Sequence, residues 1–141
     1  MANAPFLKKT PLQNRPTIYS DFRKDLAQNP INQDLALKLN ENAVNESIKN
    51  LILTNRGERK FQPELGGDIN RMLFDNMTPV TVKIAEERVR TVINNHEPRV
   101  TLIDVEVLAL YEQNALSVTI RYYLRNSETP ISLNLVIERV R

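Results

Sequence analysis

The chain contains no cysteine and one histidine, His96. Without cysteine there is no disulfide, no thiolate nucleophile and no thiolate-ligated zinc, which fits a reducing compartment. A lone histidine cannot form an H-x-x-x-H pair, so a histidine-rich metal site is excluded as well. No metal and no other cofactor is expected. No run of about 18 apolar residues exists to cross a membrane, and the opening "MANAPFLKKTPLQNRP" lacks the apolar stretch of a secretory signal. Charge of one sign is also scarce. The formal net charge is +2, with no block of about five like charges, so neither a membrane nor nucleic acid is an expected partner. Glycine is confined: all three residues lie between Gly57 and Gly67.

What is present is an ordinary globular composition, 41% hydrophobic and 26% charged over 141 residues. That length suits one domain with a sizeable core. Residues 1–16 carry Pro5, Pro11 and Pro16 beside Lys8, Lys9 and Arg15, and prolines at that density exclude helix and central strand. An extended N-terminal arm is expected there, followed by a domain over 17–141. "TIYSDF" reads as a short strand. "DLALKLN" alternates, with Leu35, Leu37 and Leu39 on one face. Val44, Ile48, Leu51 and Ile52 fall at i, i+4, i+7 and i+8, an amphipathic helix. Asn40 or Asn42 can cap its start and Gly57 its end. Asp68 can cap a short helix burying Ile69, Met72 and Leu73. Thr78 caps a third helix with Pro79 at its first position. Its stripe is Val82, Ala85, Val89, Val92 and Ile93, and Pro98 stops it by about His96.

Three alternating segments close the chain. Thr101, Ile103, Val105, Val107 and Ala109 share a face. So do Leu116, Val118, Ile120, Tyr122 and Leu124, and then Ile131, Leu133, Leu135 and Ile137. The short turns "EQN" and "NSETP" make these strands an antiparallel meander. One apolar face per strand puts the helices on one side. The expected class is α+β, with about three helices packed on one face of a mostly antiparallel sheet that ends in a C-terminal three-stranded meander.

Chemistry-bearing residues are sparse. Glu58, Glu64, Asp68 and Asp75 could supply the carboxylate pair of a glycosidase, which needs two groups ~5–10 Å apart. A chain with 17 acidic residues offers such pairs by chance, and no Ser/His/Asp set accompanies them. The loop "NRGERKFQPELGGD" lacks the phosphate-cradling pattern and no strand leads into it. Lys8, Lys9, Arg15, Arg56, Arg59 and Lys60 are not interleaved with aromatics as single-strand binders are. The most distinctive feature is "HEPRV". In an extended Glu97–Pro98–Arg99 turn both charges point to one side, and the proline fixes their spacing in advance. As a solvated ion pair the same residues would contribute only ~0–1 kcal/mol.

The order of "IYSDF", "SIKNLILTNRGER", "QPELGGDINRMLFD" and "HEPRVTLIDVEV" resembles the small baseplate-wedge, or sheath-initiator, family of contractile phage tails, which is related to baseplate components of type VI secretion. The similarity runs over roughly residues 17–125. Where the family often has an aromatic before the glycine of the second loop, this chain has Leu65–Gly66. The resemblance implies a non-enzymatic part of a virion tail baseplate, assembled in the host cytoplasm, with several copies ringing the tail tube. It implies that Glu97, Pro98 and Arg99 dock on the baseplate wedge core proteins. It further implies that the strand-bearing face takes extended arms of the tail sheath protein and starts sheath polymerisation, with the tube or its initiators as neighbours. The last strand runs almost to the end of the chain, which makes Ile131, Leu133, Leu135 and Ile137 the candidate strand-pairing residues. The alternative is a tail-associated, lysozyme-like peptidoglycan glycosidase. A nucleic-acid adaptor is a third option and predicts steeply salt-dependent DNA binding.

Overall fold

The computed structural model describes residues 16–139; the expected arm lies outside them except for Pro16. Two short strands, β1 (Ser20–Phe22) and β2 (Leu37–Leu39), are followed by α1 (Glu41–Leu53), α2 (Ile69–Met72) and α3 (Pro79–His96). Then come β3 (Val100–Leu110), a 3-10 turn (Tyr111–Gln113), β4 (Ala115–Leu124) and β5 (Pro130–Glu138). β3, β4 and β5 form an antiparallel sheet in that order, and β1 and β2 form a separate two-stranded ribbon. This is the α+β arrangement with a C-terminal meander.

Each helix forms where its apolar stripe has something to cover. Val44, Ile48 and Ile52 of α1 and Ala85, Val89 and Ile93 of α3 are buried against the inner face of the sheet. That face is supplied chiefly by Leu116, Val118, Ile120 and Tyr122 of β4. β4 is the central strand, which is why its alternate residues are so completely enclosed. Burial of this kind stabilises by about 1.5–3 kcal/mol for each large aliphatic side chain. Thr78 caps α3 by accepting a hydrogen bond from the Thr81 N–H at 3.2 Å, and Pro79 takes the first position.

Four local expectations are corrected. In β3 a bulge between Leu102 and Asp104 shifts the register, so the phase of the alternation changes there. Val100 and Leu102 pack inward ahead of it and Val105 and Val107 after it, leaving Thr101 and Ile103 exposed. Asn40 stands at the start of α1 but gives it no side-chain cap; its Oδ1 accepts instead from the N–H groups of Ile18 (2.8 Å) and Tyr19 (3.3 Å). Asp68 does not cap α2 either; it accepts from the Arg56 N–H at 3.2 Å. Gly57 is no helix cap, because α1 ends at Leu53 with Thr54 extended. The glycine-crowded loop returns to that end. Gly67 N–H donates to the carbonyls of Leu51 (3.3 Å) and Thr54 (3.1 Å), which the helix leaves unsatisfied. Gly66 lies at φ +127°, and a Cβ on it would collide with the Thr54 carbonyl oxygen. Both the angle and the close approach require glycine.

Candidate docking site

The Glu97–Pro98–Arg99 turn sits where α3 passes into β3. The helix ends because Pro98 disfavours helical angles at Glu97, which adopts φ −124°, ψ 80° while its N–H still closes on Ile93 O at 2.9 Å. That backbone turns the Glu97 side chain into the molecule. It is 3% exposed. Arg99 forks onto it, Nε to Oε1 at 2.6 Å and Nη2 to Oε2 at 2.7 Å. Ser47 of α1 donates to Oε2 at 2.7 Å.

The pair is therefore not the solvated ion pair that the sequence allowed as its plain alternative. Burial alone would push the Glu97 carboxyl up, but the Arg99 fork and the Ser47 hydroxyl outweigh it and hold the group below its usual 4.5. The same carboxylate raises the Arg99 guanidinium further. Next to this pair, Tyr122 donates its hydroxyl to Asn45 Oδ1 at 2.7 Å. Burial, with the Glu41 and Glu97 carboxylates nearby, pushes the Tyr122 phenol up to about 12.

What faces outward is Pro98, which is exposed, and one side of Arg99, whose side chain is 30% exposed. The guanidinium also lies 5.7 Å from the centre of the Tyr19 ring, a cation–π distance. Its backbone carbonyl accepts from the Arg125 N–H at 3.1 Å. The turn thus presents a rigid proline and an oriented guanidinium, with Glu97 as the internal brace. Both glutamate oxygens are committed within the chain.

The second candidate surface is β5. Ile131, Leu133, Leu135 and Ile137 pair through β4 opposite Tyr122, Ile120, Val118 and Leu116. Their side chains pack on the core, Ile137 buried and the other three half-buried. The outer edge of β5 is paired with no strand among the described residues, because the β1–β2 ribbon does not join this sheet.

Of the acidic sequence candidates, Glu58 and Asp68 come to neighbouring backbone N–H groups of one loop. Glu58 accepts from Asn55 N–H at 2.9 Å and Asp68 from Arg56 N–H, so both fasten their own loop. Glu64 lines a cavity with His96, Asn95 and Thr91, and no second carboxylate lines it. Asp75 is exposed. Arg56, Arg59 and Lys60 are exposed on the glycine-crowded loop, and Lys8, Lys9 and Arg15 lie outside the described residues. Among those described, no three His, Cys, Asp or Glu side chains gather to hold a metal, and no helix is long and apolar enough to cross a membrane.

Two contributors escaped the sequence reading, Ser47 and Tyr19, and Asn40 was read only as a helix cap. Only Ser47 left a signal. It stands three residues after Val44 and four before Leu51, a polar position inside the apolar stripe.

Comparison with known proteins follows the same outline. A family model described as baseplate wedge protein gp25 matches residues 39–129. Baseplate wedge protein gp25 of Enterobacteria phage T4 is 33% identical over 105 residues, 74% of this chain and 79% of that protein. The crystal structure of a putative tail lysozyme from Geobacter sulfurreducens superposes with a TM-score of 0.62 at 26% identity, covering 70% of this chain and 89% of that one. A chain of the anti-feeding prophage baseplate matches with a TM-score of 0.59 at 20% identity over 87% of each chain. One from a type VI secretion baseplate complex matches at 0.53 and 15%, over 66% of this chain and 89% of that one. At those identities the last two speak to the fold alone.

Proposed function

Because this chain belongs to the family of baseplate wedge protein gp25, we propose that it is the part of a contractile tail that docks on the wedge core and starts the sheath. Its role is that of a structural baseplate component, assembled with other baseplate proteins in the tail of a virion. The finer assignment is our reading. The Glu97–Pro98–Arg99 turn docks on the wedge core proteins, Pro98 and Arg99 making the contact and Glu97 holding Arg99 in place. The edge of β5 takes an extended arm of the sheath protein, with Ile131, Leu133, Leu135 and Ile137 setting the register. Several copies ring the tube, next to tube or tube-initiator proteins, and assembly takes place in the host cytoplasm.

One observation carries the nucleation role: β5 is a nine-residue strand whose outer edge pairs with no strand among the described residues. Proteins normally blunt such an edge with prolines, charges or a covering element. Here Pro130 stands only at its first position, and the run to Ile137 carries no charge. An edge left usable invites strand addition, in which main-chain hydrogen bonds give affinity and alternate side chains give register.

Proline substitution within β5 tests this. Successive N–H groups of a strand point to opposite sides, so of Asn134 and Leu135 one donates to β4 and the other faces the free edge. Proline at the free-edge position removes no internal bond, and thermal melting identifies which variant that is. That variant is expected to enter baseplates yet leave bare tubes in electron micrographs. Normal sheathed tails from it would refute the assignment. The non-enzymatic reading has a separate check. The purified chain is expected to leave peptidoglycan intact, and clearing that disappears on Glu58→Gln or Glu64→Gln would overturn it.

A further inference from the structure

The three-stranded sheet has two edges, and the chain builds them differently. Neither β3 nor β5 pairs with a further strand among the described residues. β5 runs opposite β4 in unbroken register from Pro130 to Glu138, and no charge interrupts it between Ile131 and Ile137. β3 is interrupted. Leu102 pairs with Tyr122 and Asp104 with Arg121, so Ile103 has no residue opposite it and forms the bulge. A bulge bends its strand and leaves the extra residue unpaired. Two carboxylates, Asp104 and Glu106, follow it. Bulges and charges are the means by which proteins make an edge unfit for another strand.

α3 adds a third obstacle. Ile120 and Tyr122 are wholly buried on the helix side of β4, so Arg121 and its partner Asp104 open on the opposite face. Arg90 belongs to α3, on the helix side. Its Nη2 nonetheless lies 3.8 Å from Asp104 Oδ1 and 3.9 Å from Glu86 Oε1. β4 occupies one flank of β3, so these two side chains meet around the other flank, which is the free edge. The guanidinium therefore stands in the path of an incoming strand. Pairs at such distances contribute little to stability. A strand arriving there would have to bury the charges, however, and that is costly.

We propose that the sheet is a one-sided strand acceptor: the β5 edge is open, the β3 edge is closed by the Ile103 bulge with Asp104, Glu106 and Arg90, and each copy takes one added strand. Symmetry supplies the reason. Were both edges open, β3 of one copy could pair with β5 of the next. Such head-to-tail contacts grow into rings or filaments. The closed β3 edge denies the chain's own copies that contact and leaves β5 for a strand of another protein. The inference rests on the strand addition proposed above, and gives it a side and a stoichiometry.

Opening the β3 edge is the first test. Deleting Ile103 restores consecutive pairing of Leu102 and Asp104 with Tyr122 and Arg121, and Asp104→Thr with Glu106→Thr removes the carboxylates. In analytical ultracentrifugation the opened variant is expected to form oligomers whose mass rises with concentration, while the parent does not. A free-edge proline in β5 is expected to return the variant to the parent's mass. A folded variant that keeps the parent's mass overturns the proposal, as does a parent that already grows. Hydrogen exchange of the unaltered full chain, alone and in baseplates carrying the first sheath ring, needs no variant. Free-edge amides of β5 are expected to lose exchange on assembly, and those of β3 from Leu102 to Leu108 to keep it. Protection gained at both edges overturns the one-sidedness and leaves strand addition standing. Protection gained at neither edge, or at β3 alone, overturns strand addition at β5 itself.

Discussion

Replacing Arg99 with alanine is the sharpest probe of the turn, because it separates a brace from an ornament. Glu97 is 3% exposed and accepts three hydrogen bonds, two from Arg99 and one from Ser47. Arg99→Ala removes two of them and the compensating charge. Stranding one member of a buried ion pair costs roughly 3–5 kcal/mol. The Arg99 side chain is 30% exposed, so water can follow into the space it leaves, and the lower figure of ~2–3 kcal/mol is appropriate. For a domain of this size that is a fall in Tm of roughly 6–12 °C. Arg99→Lys keeps the charge but not the fork, and is expected to lose about half as much. In the double variant with Glu97→Gln the stranded charge is gone. The two changes should then sum to less than their separate costs, with a coupling of about 1–2 kcal/mol. Differential scanning calorimetry of the four proteins closes the cycle. If Arg99→Ala melts within about 1 °C of the parent, the pair is energetically idle and the bracing argument is wrong.

The same carboxylate sets an acid limb. Glu97 is held below its usual 4.5 in the folded chain, so its contribution to stability is present above that value and is lost as pH falls through the lower folded one. Glu97→Gln should flatten the stability curve below about pH 4.5, as read by urea midpoints from pH 3 to 7; an unchanged acid limb would mean that other groups carry it. Gly66→Ala forces a Cβ into the Thr54 carbonyl at φ +127° and is expected to cost at least ~2 kcal/mol, whereas Gly57→Ala meets no atom within 4 Å and should cost only the ~1 kcal/mol of its left-handed backbone. Equal melting of the two glycine variants would refute the close-approach argument.

Much of the fold was legible because single elements announced themselves. α3 could be bounded at both ends from Thr78, Pro79 and Pro98 alone, since capping and proline sterics act within a few residues. β4 was legible because a central strand covered on one face must alternate strictly. β3 was misread at Thr101 and Ile103 because a bulge leaves no mark on the pattern except the change of phase itself. Asn40 and Asp68 were misread for another reason. Their side chains bond to backbone 22 and 12 residues away, and tertiary partners of that kind override local capping preference. The site was half legible. Proline between opposite charges marked the turn, but the inward rotation of Glu97 depends on Ser47, 50 residues earlier. The exposure of the ribbon's apolar residues was hidden as well. The alternation of Leu35, Leu37 and Leu39 gave the face correctly, but no sequence pattern says which face is turned toward solvent.

In the proposed function, the open edge of β5 is where another chain's strand begins. A cryo-EM map of the assembled baseplate with its first sheath ring, resolved well enough to trace strands, tests it most directly. The expected result is a fourth strand hydrogen-bonded along the outer edge of β5 between Ile131 and Ile137, contributed by a sheath subunit. A first sheath ring seated elsewhere, with the β5 edge open to solvent or covered by another part of the baseplate, would contradict it.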